Sequence, residues 1–275
     1  MSKFLSSEKS AKSSSKATLG KTRLRGVWEP LALTAIILIL WELAPTVFGI
    51  PKYILPKVSS IALALFDTSA WPQYLENASV TLAEAMLGLA IGTSVGLISG
   101  VLLYWFKFLD RMTYPLIIAL QSVPKVAIAP LFVVWLGFGI SSKVLVVVLL
   151  VYFPVLVNTL SGLRSTDPDF IELFAANNAS RVKTLTKLLL PAALPSILAG
   201  FEVAVTVSLL GAIVGEFVGA QKGLGVMLLQ AQYQLNTAAV FALVAILAVI
   251  GIVLNFLVRT LRRRMLFWVV AERKS

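Results

Sequence analysis

The chain has 275 residues, 58% of them hydrophobic and only 13% charged, with a formal net charge of +11. Soluble domains carry about 25% charged residues, so a core of this size cannot hide the apolar excess, which must face lipid. Cysteine and histidine are absent, which excludes disulfides, thiolate or imidazole catalysis and Cys/His metal sites, and the basic residues flank apolar runs instead of forming a nucleic-acid patch.

Residues 1–26, rich in Ser and Lys, read as a flexible basic tail. A signal peptide is not expected, because the first apolar run begins only at Leu31 and no small-residue cleavage site follows it. Gly20-Lys21-Thr22 resembles the end of a phosphate-binding loop, but Ser15 stands where the first glycine belongs, so the chain is not expected to bind ATP. Apolar stretches then fall at 31–48, 80–105, 115–138, 144–163, 195–218 and 238–258, each near the ~20 residues that a helix needs to cross the hydrocarbon core. They predict an all-α membrane protein with six transmembrane helices between residues 27 and 265, followed by a short tail, 266–275.

Six spans put both termini on one side. With that side cytoplasmic, 19 of the 24 basic residues lie inside, while Lys52, Lys57, Lys143 and Lys222 lie outside and Lys125 lies within a span. The positive-inside rule therefore predicts cytoplasmic termini.

Gly88, Gly92, Gly96 and Gly100 line one face of the second span, and Gly211, Gly215 and Gly219 one face of the fifth. Small residues every four positions allow another helix backbone to approach closely. Two readings stay open at this stage, packing within the subunit or a dimer or pore seam.

The loop at 164–194, between the fourth and fifth spans, is the longest polar segment outside the N-terminal tail. Asp167-Pro168 fits a helix start, with Asp as the cap and Pro in the first turn. Phe170, Ile171, Phe174 and Ala175 follow at helical spacing, and Asn177-Asn178 predicts the stop. A second amphipathic helix is expected over about 180–190, ending at Pro191. Short cytoplasmic helices with exposed apolar residues need a partner or a membrane surface to cover them.

Lys125 follows Pro124 about ten residues into the third span, so a kinked helix would hold a cation near the midplane. Either it meets an anionic substrate or it pairs with Glu84, Glu202 or Glu216. Glu202 could also pair across a subunit interface. Gln121, Ser122, Asn158, Thr206 and Ser208 are candidate pathway-lining groups, although Ser and Thr in membrane helices often bond their own backbone. Residues 221–237, with Gln230, Gln232, Tyr233 and Gln234, form either an interfacial loop or a docking surface, and 50–67 is expected along the outer interface.

The run Glu172-x-x-Ala175-x-x-Asn178-Ala179-Ser180-Arg181, with Leu190-Pro191 and Pro195, resembles the "EAA" loop of binding-protein-dependent ABC importer permeases. Further matching segments are Ala129-Pro130-Leu131, Leu136-Gly137-Phe138-Gly139, Phe153-Pro154, Gly215-Glu216-Phe217 and Gly223-Leu224-Gly225. The set looks most like the nitrate/sulfonate/taurine branch. Leu173-Phe174 replace small residues and Asn178 replaces a glycine, departures that suggest a partner surface particular to this system.

The resemblance implies a type I importer fold with a cytoplasmic coupling helix. Asp169, Glu172, Phe174, Ala175, Asn178, Ala179, Ser180, Arg181 and Pro191 would contact the ATPase. Gln121, Pro124, Lys125, Asn158, Glu202, Ser208 and Glu216 would line or gate the pathway. It further implies a multi-pass protein of the bacterial inner membrane in lipid, a second permease copy as a homodimer, two ATPase subunits and an extracytoplasmic substrate-binding protein. This chain would carry no cofactor and no enzyme activity, with ATP and Mg on the ATPase. The expected cargo is a small anion such as a sulfonate, taurine, a carboxylate or nitrate; the alternative is an ion-coupled secondary transporter.

Overall fold

The computed structural model describes residues 28–267, so the expected tail at 1–26 and all but the first two residues of the tail at 266–275 lie outside the described residues. The chain forms two compact units, one reaching to Phe66 and including Leu235–Ala242, the other holding Asp67–Gln234 and the residues from Leu243 onward.

In the first unit α1, Trp28–Val47, is followed by a turn-rich segment and a short helix α2, Val58–Leu65. Trp41 ties them together. Its indole N–H donates to the Pro56 carbonyl at 3.0 Å, and its ring meets Phe241 edge-on at 5.3 Å. Glu42 accepts from the Ser59 amide and hydroxyl, at 2.9 and 2.7 Å. Leu31 and Leu40 on α1 remain about 60% exposed, as a lipid-facing span requires.

The second unit is built on α3 (Trp71–Trp105), α6 (Ile140–Arg164) and α9 (Leu190–Gly219). The glycines set how these helices pack. A Cβ on Gly92 would lie 2.9 Å from Val151 Cβ, one on Gly96 3.0 Å from Val155 Cβ, and one on Gly100 2.8 Å from Thr159 Cβ, while Gly88 abuts Val147. Each partner lies 59 positions further along, so α3 and α6 run parallel in one fixed register. The α9 partners count the other way: Gly200 meets Asn158, Gly211 meets Val147 and Gly215 meets Lys143, so α9 is antiparallel to α6. Both stripes are therefore seams within the subunit, which answers the question the sequence left open. Beside them the core closes with Ala85, Leu89, Val147, Val151, Val155 and Ala212.

Because α3 and α6 point the same way, the chain between them must cross the bundle once. It does so in two pieces, α4 (Lys107–Ser122) and, after a 3-10 turn at Lys125–Ile128, α5 (Ala129–Leu136). The two pieces meet at 86°, so the expected 115–138 span is broken; the described residues hold five helices long and apolar enough to cross a membrane, and six spans if this bent pair counts as one. Pro124 is the cause. It holds Val123 extended (ψ 131°) and offers no amide, so the Val123 N–H turns back to the Leu120 carbonyl.

After α6 come α7 (Pro168–Ala176) and α8 (Arg181–Thr184). The second loop helix does not stop at Pro191 as expected. A π-helical turn at Leu185–Leu189 leads directly into α9, and the axis is continuous from Arg181 to Gly219. The wider turn accommodates the ring and missing amide of Pro191. A tight turn then leads to α10 (Leu224–Tyr233), and α11 (Thr237–Met265) closes the order.

Candidate functional site

The loop between α6 and α9 is ordered by its own caps. The Asp167 carboxylate accepts the Asp169 N–H at 3.0 Å, with Pro168 at the first helical position. At the other end Asn178 lies at φ 53°. Its N–H reaches the Ala175 carbonyl at 2.9 Å, and the Ala179 N–H reaches Phe174 at 3.0 Å, a Schellman stop with Asn in the glycine place. Ser180 Oγ then caps α8 by accepting the Lys183 N–H at 3.3 Å.

These caps fix which faces α7 shows. Ile171 and Phe174 are half-buried and Ile171 packs on Leu163, Leu189 and Ala193, whereas Phe170 (54%) and Leu173 (55%) stand out. Phe174, expected to be the exposed apolar group, is half-buried, and its neighbours Phe170 and Leu173 present the larger apolar surface. Asp169, Glu172, Ala175, Arg181 and Pro191 are exposed and Ala179 is half-buried.

At the break in the third crossing, Lys125 Nζ donates to the Gln121 carbonyl at 3.1 Å and sits 4.8 Å from the centre of the Phe153 ring. The ammonium thus replaces the backbone amide that would bond Gln121 in an unbroken helix. Among the described residues Lys125 has no carboxylate partner, so the expected pairing with Glu84, Glu202 or Glu216 is not formed. Glu202 is held within the chain by Arg259 (2.9 Å) and Arg262 (3.0 Å) instead of across an interface. Ser208 is fully buried with its hydroxyl on the Val205 carbonyl, and Asn158 bonds the Pro154 carbonyl while packing on Gly200. Asn158 thereby serves the α6–α9 contact. Gln121, Ser122, Pro124 and Thr206 are the exposed members of the pathway set, and the Thr206 hydroxyl bonds the Glu202 carbonyl at 3.2 Å.

Lys143, counted from sequence among the outer lysines, is 2% exposed. Its ammonium donates to the carbonyls of Phe138, Gly139 (3.0 Å) and Gly219 (2.8 Å) and sits in the fields of Glu84 and Glu216. Glu216, 1% exposed, accepts from the Thr81 hydroxyl at 2.6 Å and from the Gly225 amide. Thr81 in turn accepts the Leu224 N–H at 2.9 Å, and Asn77 Oδ1 accepts the Gly223 N–H at 2.7 Å. Gly223 is required here: its φ of 128° suits glycine, and any Cβ would strike the Glu216 carboxyl. Just outside the span, Lys222 pairs with Glu76 at 2.6 Å, and that bond holds the ammonium above its usual pKa. Buried charges in lipid need such partners, so Glu216 is a packing hub that joins α3, α6, α9 and the Gly223–Gly225 turn.

No metal-binding cluster of Cys, Asp or Glu occurs among the described residues. What the site offers is a helix with an exposed apolar face at one end, a cation at a broken helix, and a closed polar knot at the other end.

Comparison with known proteins accounts for this arrangement. The formylaminopyrimidine transport permease ThiX of Halalkalibacterium halodurans is 36% identical over 87% of this chain and 95% of its own length. The putative aliphatic sulfonates transport permease SsuC of Bacillus subtilis is 31% identical over 88% of each chain. A chain of the MetNI methionine ABC transporter, in its inward-facing conformation, superposes with a TM-score of 0.65 at 20% identity, over 73% of this chain and 99% of that one, which shows a shared type I permease fold. Residues 92–267 match the family described as the binding-protein-dependent transport system inner membrane component. The chain belongs to that family: it is a multi-pass inner-membrane permease subunit of an ABC importer for small solutes, a transport component and not an enzyme.

Proposed function

We propose that α7 is the coupling helix of this importer, and that Phe170 and Leu173 are the side chains it buries in the ATPase. The observation that carries the reading is a fully capped helix beyond the ends of α6 and α9 with two large apolar residues more than half exposed. Two ATPase copies, binding ATP and Mg, would engage two copies of this chain, with a substrate-binding protein at the opposite end. The excess of basic residues on the α7 side supports cytoplasmic termini. Deleting 174–178 is expected to abolish uptake while the subunit stays inserted; full uptake at normal membrane abundance would sink the assignment.

The cargo proposed is a small sulfonate- or carboxylate-type anion that passes Lys125, since its ammonium has no carboxylate partner among the described residues and lies beside exposed Gln121. The 36% identity to a formylaminopyrimidine permease favours a second reading, an aminopyrimidine. Uptake of labelled taurine against labelled aminopyrimidine by the whole importer separates them. Lys125→Ala is expected to cut taurine uptake at least tenfold, as the loss of about 1.4 kcal/mol would, and unchanged uptake would remove Lys125 from the pathway.

A further inference from the structure

A cavity of about 860 Å³ lies on the inner side of α7, walled by the ends of α3 and α6, the start of α4, and α8 with its π turn. That volume is large enough for a headgroup and the first part of its chains, being in the range of small-molecule sites. Its lining holds three cations, Lys107, Arg164 and Arg181, and no carboxylate. Arg164 is already engaged, bonded to Asp110 and stacked on Tyr114. The side chains of Lys107 and Arg181 have no ion-pair partner among the described residues. Thr166 also lines the cavity, is 8% exposed, and its hydroxyl has no hydrogen-bond partner among the described residues. Buried hydroxyls without partners are uncommon in finished structures.

The rest of the wall is apolar and aromatic. Trp105 ends the α3 span, and Phe106 (52% exposed) and Phe108 (73% exposed) follow it. Such residues collect at the headgroup level of a membrane, where basic side chains attract anionic lipid. The α7 residues on this wall are Pro168, Ile171 and Ala175, not Phe170 or Leu173. An occupant here therefore leaves the exposed face of α7 free.

We propose that this cavity is a binding site for an anionic glycerophospholipid. Lys107, Arg181 and the Thr166 hydroxyl take its phosphate, and Phe106, Phe108 and Leu185 take the start of its acyl chains. The inference rests on the membrane location of these helix ends and not on α7 being the coupling helix, so either reading can fail without the other.

The test is native mass spectrometry of the whole detergent-purified importer given phosphatidylglycerol, or phosphatidylcholine with the same chains. Phosphatidylglycerol should be retained roughly tenfold better, because the choline cation of phosphatidylcholine cancels the net negative charge that Lys107 and Arg181 attract. The preference should vanish in a Lys107→Gln/Arg181→Gln variant and weaken in Thr166→Val, the second variant to read if the double one does not assemble. Excess inorganic phosphate should not displace the lipid. Equal retention of both lipids, an undiminished preference in the variants, displacement by phosphate alone, or crosslinking of an ATPase segment to Trp105 or Leu185 in the resting complex would each overturn the proposal.

Discussion

Thr81 on α3 donates its hydroxyl to the Glu216 carboxylate on α9 at 2.6 Å, and the same oxygen accepts the Leu224 N–H at 2.9 Å. One hydroxyl thereby joins two helices and the turn that follows them. Thr81→Val keeps the shape and removes both bonds, leaving a buried carboxylate oxygen and an amide short of partners. The expected loss is about 2–4 kcal/mol, summing two unsatisfied groups at the low end of their usual cost. Thermal unfolding of the purified subunit should show it, with Thr81→Ser close to wild type; equal melting of all three would mean that the knot does not clamp the helices.

The glycine seam makes a second prediction. Gly92→Val puts a branched side chain against Val151 and the Val148 carbonyl, where even a Cβ would sit at 2.9–3.0 Å. It should destabilise by about 1–3 kcal/mol as overpacking does, and cut the folded yield in membranes. Gly251→Ala, whose Cβ would find Leu209 at 3.7 Å, should be harmless. Similar yields for both variants would contradict the register.

Asn178 supplies a third. Asn178→Gly keeps the left-handed stop of α7 and should preserve transport, whereas Asn178→Val forces a β-branched residue to φ 53° at a cost of about 1–3 kcal/mol. The measurement is substrate-stimulated ATP hydrolysis by the reconstituted complex. Stimulation retained in the valine variant would show that the geometry of this turn is not needed.

The faces of α7 give the fourth. Phe170→Ala and Leu173→Ala should weaken co-purification of the ATPase while leaving the permease melting temperature unchanged, because both side chains lie more than half exposed. Phe174→Ala, at a half-buried position, should lower the melting temperature first. A reversed pattern would place the partner on the other face.

Much of this was legible in the sequence because lipid imposes one length and one polarity on every crossing. The cap at Asp167 and the stop at Asn178 were legible too, since each is settled by neighbours a few residues away. Lys143 was not. It stands at the start of a span beside two serines and looks like an interfacial charge, while its partners Glu84 and Glu216 lie far off in sequence. One signal could have found it: Glu84 is the first member of the stripe Glu84-Gly88-Gly92-Gly96-Gly100, so the residue that carries it faces protein and not lipid. The partners of Glu202 and Ser208 were not legible either: Arg259 lies far off in sequence, and the Val205 carbonyl is one of several backbone groups within reach of Ser208.

The register between α3 and α6 has a mechanical consequence. Each glycine seats one side chain of its partner, so a slide of one residue would drive Val151 or Val155 into a filled position. The seam behaves as a rack whose teeth are one helical turn apart, about 6 Å for four residues, and it admits no smaller step. Any rearrangement that keeps this packing carries α3 and α6 as one block. The break at Val123-Pro124, where the helical ladder is already open, is the place in the third crossing where the chain is free to bend.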